Sequence, residues 1–189
     1  MKKLSALLFS FLLLFTYGTS ALASETNDVE KALELIETTN VAIDEEIEKT
    51  VQEANILQAK YFEDIASIQG SDAIVSLREQ QSSLEAELLV AVEQEKIDTI
   101  KAELAKIDSD VASLESTLSG KSQYFADRTA QFHSELDQLI VDLDILTRKM
   151  TAETIEEAAA LGVEAECVWK YVKIAHKWVW IDPIQVIGT

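Results

Sequence analysis

Three runs of apolar residues at alternating three- and four-residue steps cover most of the chain, and a glycine closes each run (Gly70, Gly120 and Gly162). Such spacing places one stripe on the face of a long helix. The first stripe reads Val29, Leu33, Ile36, Asn40, Ile43, Ile47, Thr50, Ala54, Leu57, Tyr61 and Ile68. It predicts a helix over about 27–69, capped by Asn27 with Glu30 reaching back. Asn40 on that seam reads as a register-fixing polar residue.

A second stripe predicts a helix over about 72–118, capped by Ser71. Its first half uses Ile74, Leu77, Gln81, Leu84, Leu88 and Ala91, and its second half uses Ile97, Ile100, Leu104, Ile107, Val111, Leu114 and Leu118. The phase slips between Ala91 and Ile97. A local overwinding of one long helix explains the slip, and it is preferred to a short break because no Gly, Pro or Asn marks the site. The third stripe is Phe125, Phe132, Leu136, Leu139, Leu143, Leu146 and Met150, with a jump to Ile155. It predicts a helix over 121–150 and either a continuation or a separate short helix over 152–161. Rods of matched length joined by short turns fold back antiparallel. The fold class is mainly α, an elongated antiparallel three-helix bundle or coiled coil. The alternative is a helical hairpin that completes its core by dimerising.

Residues 163–189 differ in kind. All three tryptophans, Trp169, Trp178 and Trp180, fall here among β-branched residues, a strand composition. Val163, Ala165, Cys167, Trp169 and Tyr171 alternate with polar neighbours, which predicts one strand with these five on a common face. A second strand over Trp178 to Ile181 completes a small hairpin through a loose loop near Ala175-His176. Pro183 should end the ladder or sit on an edge, and Ile184 to Ile187 offers a short third strand. A hairpin of this size is marginal alone. It should bury its aromatic face against the helices, another copy or a partner.

The N-terminus changes the compartment. Lys2 and Lys3, the apolar run Leu4 to Phe15 and Ala21-Leu22-Ala23 form the three parts of a signal peptide. The run is well short of the roughly 20 residues that span a bilayer, so residues 1–23 are expected to be removed. Residues 24–162 are then an acidic helical bundle and 163–189 its aromatic tail. Export to a periplasm or the extracellular space is expected, and the short Lys-Lys start fits a bacterial route. The chain carries 16 basic and 34 acidic side chains, a net charge of −18, and loss of two lysines takes it near −20. That charge opposes binding to nucleic acid. The segment from Val163 to Thr189 balances three lysines with three acids, so the negative charge belongs to the helices.

Candidate chemistry is sparse. His133 and His176 are the two histidines, and no metal-spaced pair, calcium loop or phosphate loop occurs. No catalytic, cofactor-binding or metal-ligating residue is therefore assigned, and no cofactor is expected. Cys167, the one cysteine, is read chiefly as buried packing. An intermolecular disulfide through it is the alternative, and a Cys167–His176 couple is a remote third. The aromatic cluster Trp169, Tyr171, Trp178 and Trp180 is the candidate interaction patch, because Trp and Tyr dominate interface energies. The other reading of these rings is that they seal one end of the bundle. The expected role is a non-enzymatic scaffold or adaptor that docks a protein partner or self-associates through the hairpin. The alternatives are a membrane-active helical protein and a holdase-type chaperone, with contact to membrane or cell-wall glycan left open.

Overall fold

The computed structural model describes residues 24–188, so the expected signal peptide lies outside the described residues. The fold is mainly helical and closes on an antiparallel hairpin, as the sequence predicts. The described residues form α1 (Ser24–Ile65), α2 (Asp72–Val90), α3 (Gln94–Ser119) and α4 (Gln123–Ala160). Four strands follow: β1 (Glu164–Cys167), β2 (Lys170–Ile174), β3 (Lys177–Ile181) and β4 (Ile184–Gly188).

The spine is an antiparallel pair, α1 and α4, about 60 Å long at 1.5 Å per residue. Tyr61 Oη lies 3.0 Å from Thr129 Oγ1 at one end, and Thr39 Oγ1 lies 2.8 Å from Thr154 Oγ1 towards the other. The predicted α1 seam is largely the buried one: Ile36, Ile43, Ile47, Thr50, Ala54 and Tyr61 all face in. On α4 the apolar stripe does not continue as read. Leu146 is exposed, and Thr147, Thr151 and Thr154 are buried in line with Leu143. Threonine serves there because its methyl packs while its hydroxyl finds a carbonyl or a second hydroxyl. The 121–150 and 152–161 stretches are one helix. Its N-cap Ser122 accepts from the Phe125 amide at 3.2 Å.

The expected 72–118 helix is two helices. The chain reverses at Ala91, Val92 and Glu93, and α3 returns along α2. Arg78 Nη1 meets Asp108 at 3.0 Å, and Lys96 meets Glu87 at 2.7 Å. The phase slip therefore marks a chain reversal rather than overwinding. It needs no glycine because Ala91 (ψ 131°) and Glu93 (φ −86°, ψ 126°) turn through extended backbone, which any residue adopts. At Gly70 and Gly162, φ is +94° and +86°, the left-handed form glycine takes freely. Gly120 ends α3 at φ −67°, outside the left-handed region expected there. Ser71 does not cap α2 through its side chain. Its hydroxyl instead donates to the carbonyls of Ile65 (2.7 Å) and Ile68 (2.8 Å), closing the end of α1.

The four strands form one long ribbon. β2 pairs with β3 and β1 with β4, and the Val168 amide donates to the Pro183 carbonyl at 2.8 Å between them. The register is the same on both sides of that link: Lys170 faces Ile181 and Cys167 faces Ile184. Pro183 thus interrupts the ladder without ending it, and β4 pairs with β1 as a fourth strand. The tip is a two-residue turn, Ala175-His176, closed by Ile174 and Lys177. It is tighter than the sequence suggested because Ala175 accepts φ +53°, a conformation costing a non-glycine residue roughly 1 kcal/mol.

The ribbon covers one side of the α1–α4 pair, and the α2–α3 hairpin lies beside it. Ile174 and Ile181 are fully buried in the same cluster as Ile43, Ile47 and Leu136. Val163 and Ile184 join Ala32, Ile36 and Ala158 in a second cluster. Val163, Ile174, Ile181 and Ile184 thus tie the ribbon into the helical core. Asn40 does not fix register between helices. Its side chain clamps the ribbon backbone, donating to Ile184 O and accepting from Ile184 N, both at 2.9 Å.

Candidate interaction surface

The inward row of the ribbon changes parity at Val168-Trp169 and Asp182-Pro183. Before this break it runs through Val163 and Ala165, and after it through Val172 and Ile174. On the return it passes from Val179 and Ile181 to Ile184 and Val186. The ribbon thus turns its other face to the helices. In β2 and β3 the β-branched residues pack inward and the aromatic residues point outward. Of the three expected covers for the aromatic face, the helices are not the one used for Trp169, Tyr171 and Trp180, because Val and Ile fill the narrow slot over two helices.

Trp169, Tyr171 and Trp180 are 51 to 60 % exposed. The rings form a continuous row. Tyr171 lies 4.5 Å from Trp180 and 4.9 Å from Trp178, and Trp169 meets Trp180 edge-on at 6.5 Å. Cross-strand pairs hold the row, with Tyr171 opposite Trp180 and Lys173 opposite Trp178. Stacked pairs of this kind are worth about 0.5–1.5 kcal/mol each beyond their burial. Trp178 is the exception to full exposure. Its Nε1 donates to Glu85 Oε1 at 2.9 Å, so α2 partly covers it.

Glu85 was not singled out in the sequence, where it sits among many acids. It is 5 % exposed, and its second oxygen faces the Lys173 ammonium. Lys173 also donates to Ser82 at 3.2 Å. The other two ribbon lysines are likewise matched, Lys170 with Asp44 at 2.6 Å and Lys177 with Asp137. Residues 170–181 contain three lysines and no acid, and the helices supply one carboxylate to each. The surface around the ladder is therefore close to neutral on an acidic protein.

The ribbon tip is anchored by His176. Its Nδ1 lies 3.3 Å from Gln58 Oε1, and its ring packs on Phe132 at 5.7 Å and His133 at 6.0 Å. Burial first, then the positive charges of Arg78, His133 and Lys177, press its pKa from 6.5 down to about 3, against a small opposing pull from Asp137. Nearby, Tyr61 stacks on Phe132 at 4.5 Å, and burial pushes its hydroxyl up to about 12.

Cys167 is exposed, which overturns the reading of it as buried packing. It stands at the break in the ribbon, where the Asp182 carboxylate is close. Desolvation and that carboxylate push its thiol pKa up, which lowers its thiolate fraction and its rate of disulfide exchange. The Cys167–His176 couple is not assembled. Cys167 ends β1 and His176 stands at the ribbon tip beyond β2, nine residues on, about 30 Å away at strand rise.

A further apolar feature escaped the sequence reading. Leu89, Val90 and Val92 at the α2–α3 turn are 75 to 91 % exposed. The one available signal was the phase slip at that point. Among the described residues no helix is long and apolar enough to cross a membrane. Comparison of the chain with protein-family models, with curated proteins and with solved structures finds no match.

Proposed function

We propose that the protein is a non-enzymatic scaffold or adaptor, exported to the bacterial envelope or extracellular space, that docks through its outward aromatic row. The observation that carries this reading is the orientation of the ribbon. Its aliphatic face already fills the core, while the rings of Trp169, Tyr171 and Trp180 stay about half exposed and are stacked into a defined surface. Pre-stacked Tyr and Trp present large contact area at low entropic cost. The neutral surround removes the repulsion that the rest of the surface would impose. The α1–α4 spine gives the row a rigid mount and length.

Trp180→Ser and Tyr171→Ser test the reading. Neither ring packs on the helices, so helical circular dichroism should stay unchanged, while loss of the ring pairs should lower stability by about 0.5–1.5 kcal/mol for each pair. Loss of an interface tryptophan typically costs about 2 kcal/mol or more, roughly a thirtyfold loss of affinity. Retention by envelope fractions should fall accordingly for both variants. Equal retention by wild type and variants would sink the docking role. N-terminal sequencing of the secreted chain should start at Ser24, after cleavage following Ala23.

A further inference from the structure

We infer that the occupant of the aromatic row is a second copy of this chain, and that the apolar α2–α3 turn of each copy packs on the row of the other. This rests on the docking reading above and names its partner.

Three observations converge on it. The first is position. Along α1 the ribbon base lies at Asn40, which holds Ile184, and its tip at Gln58, which meets His176. The chain turns after Ile65 into α2, where Ser82 meets Lys173 and Glu85 meets Lys173 and Trp178. α2 therefore runs from the tip of the ribbon towards its base. Ser82, Glu85 and Leu89 are spaced i, i+3 and i+7, on one helical face. Leu89 thus lies one turn further on, towards Tyr171 and Trp180, and leads the exposed turn Val90-Ala91-Val92 to the edge of the ladder.

The second is area. Full burial of an aromatic side chain covers roughly 150–250 Å², so the three half-exposed rings offer about 350 Å². A specific interface needs about 800 Å² on each side, and the ladder alone falls short. Leu89, Val90 and Val92 supply roughly as much again. One apolar surface of that combined size also exceeds the largest patch on a typical monomer, about 300–600 Å². Two patches side by side on one protomer suit a twofold contact, since each residue of the first patch can then meet the second patch of the partner.

The third is charge. With 34 acids against 16 bases, two copies repel over most orientations. The ladder over residues 170–181 is the neutral exception: it carries no acid, and its three lysines are matched by Asp44, Glu85 and Asp137, so a second copy meets least repulsion there.

The experiment is light scattering on the purified chain from residue 24 onward, across micromolar to near-millimolar concentration, with and without reductant. A reversible dimer is expected in both conditions. Val92→Glu and Trp180→Ser should each weaken it at least tenfold, with circular dichroism unchanged. In a Cys167→Ser background, a Val92→Cys chain mixed with a Trp169→Cys chain should form a mixed disulfide faster than either chain links to itself. A monomer at every concentration overturns the proposal. So does a dimer indifferent to Val92→Glu. A monomeric chain whose envelope retention still depends on Trp180 overturns this proposal while leaving the docking reading intact.

Discussion

Acidification should drive the ribbon tip out of the core, and His176 sets the size of the effect. Its ring is held by Gln58, Phe132 and His133 and faces the cations Arg78 and Lys177, with Asp137 opposing them and Glu115 behind His133. Its pKa is about 3 when folded and 6.5 as the ordinary value. The folded state therefore excludes a proton that the unfolded state accepts, so stability is complete above pH 6.5 and is lost as pH falls from there towards 3. Each pH unit within that window costs about 1.4 kcal/mol. Between pH 7 and pH 4.5 the loss is roughly 2.5 kcal/mol from this one group. Urea unfolding followed by circular dichroism at both pH values measures it, with His176→Gln as the comparison. Glutamine can still bond Gln58 but cannot titrate, so the variant should lose about 2.5 kcal/mol less than wild type over the same interval. Carboxylates protonate in both proteins and cancel in the difference. Equal pH dependence in the two would refute the reasoning, as would an imidazole resonance of His176 that titrates near pH 6 in the folded protein.

Two further substitutions probe what holds the ribbon in place. Asn40→Ala removes both bonds to the Ile184 backbone and leaves a part-buried amide and carbonyl unpaired, a cost of about 2–4 kcal/mol. Hydrogen exchange at Ile184 should accelerate with it, and a loss below about 0.5 kcal/mol in urea unfolding would show that the clamp is idle. Glu85→Ala strips the partner from a lysine and an indole N–H. It should destabilise by about 2–3 kcal/mol and red-shift tryptophan emission as α2 loosens from Trp178. Unchanged emission would mean that α2 does not hold the ladder.

The helical part of this protein was legible because burial on a helix leaves a repeating mark. Ile43, Ile47, Ala54 and Tyr61 recur at the right spacing and are buried. The mark fails where polar residues do the packing, as with Thr147, Thr151 and Thr154, or where a surface acid such as Glu85 is enclosed by lysine and tryptophan from elsewhere. It also fails at Ala91-Val92-Glu93. A reversal through extended backbone needs no special residue, so the phase slip alone recorded it, and overwinding produces a similar slip. The sequence groups Trp169, Tyr171, Trp178 and Trp180, and the structure places their rings side by side. What covers them stayed open between the helices, another copy and a partner, because period-two alternation says which residues share a face but not which face meets the helices. The change of parity at Val168-Trp169 and Asp182-Pro183 undoes even that rule across the break.

From its order of residues alone, this chain was set to be helical over most of its length, acidic on those helices, and strand-forming and neutral in its last part. These are local properties, written in spacing and composition. Only the tertiary structure decided that the last part fills the groove of an α1–α4 pair, that its valines and isoleucines go in while its tryptophans stay out, and that Asn40, Glu85 and His176 hold it there. Each of those three meets partners between about 90 and 145 positions away along the chain, and no periodicity carries information over that distance.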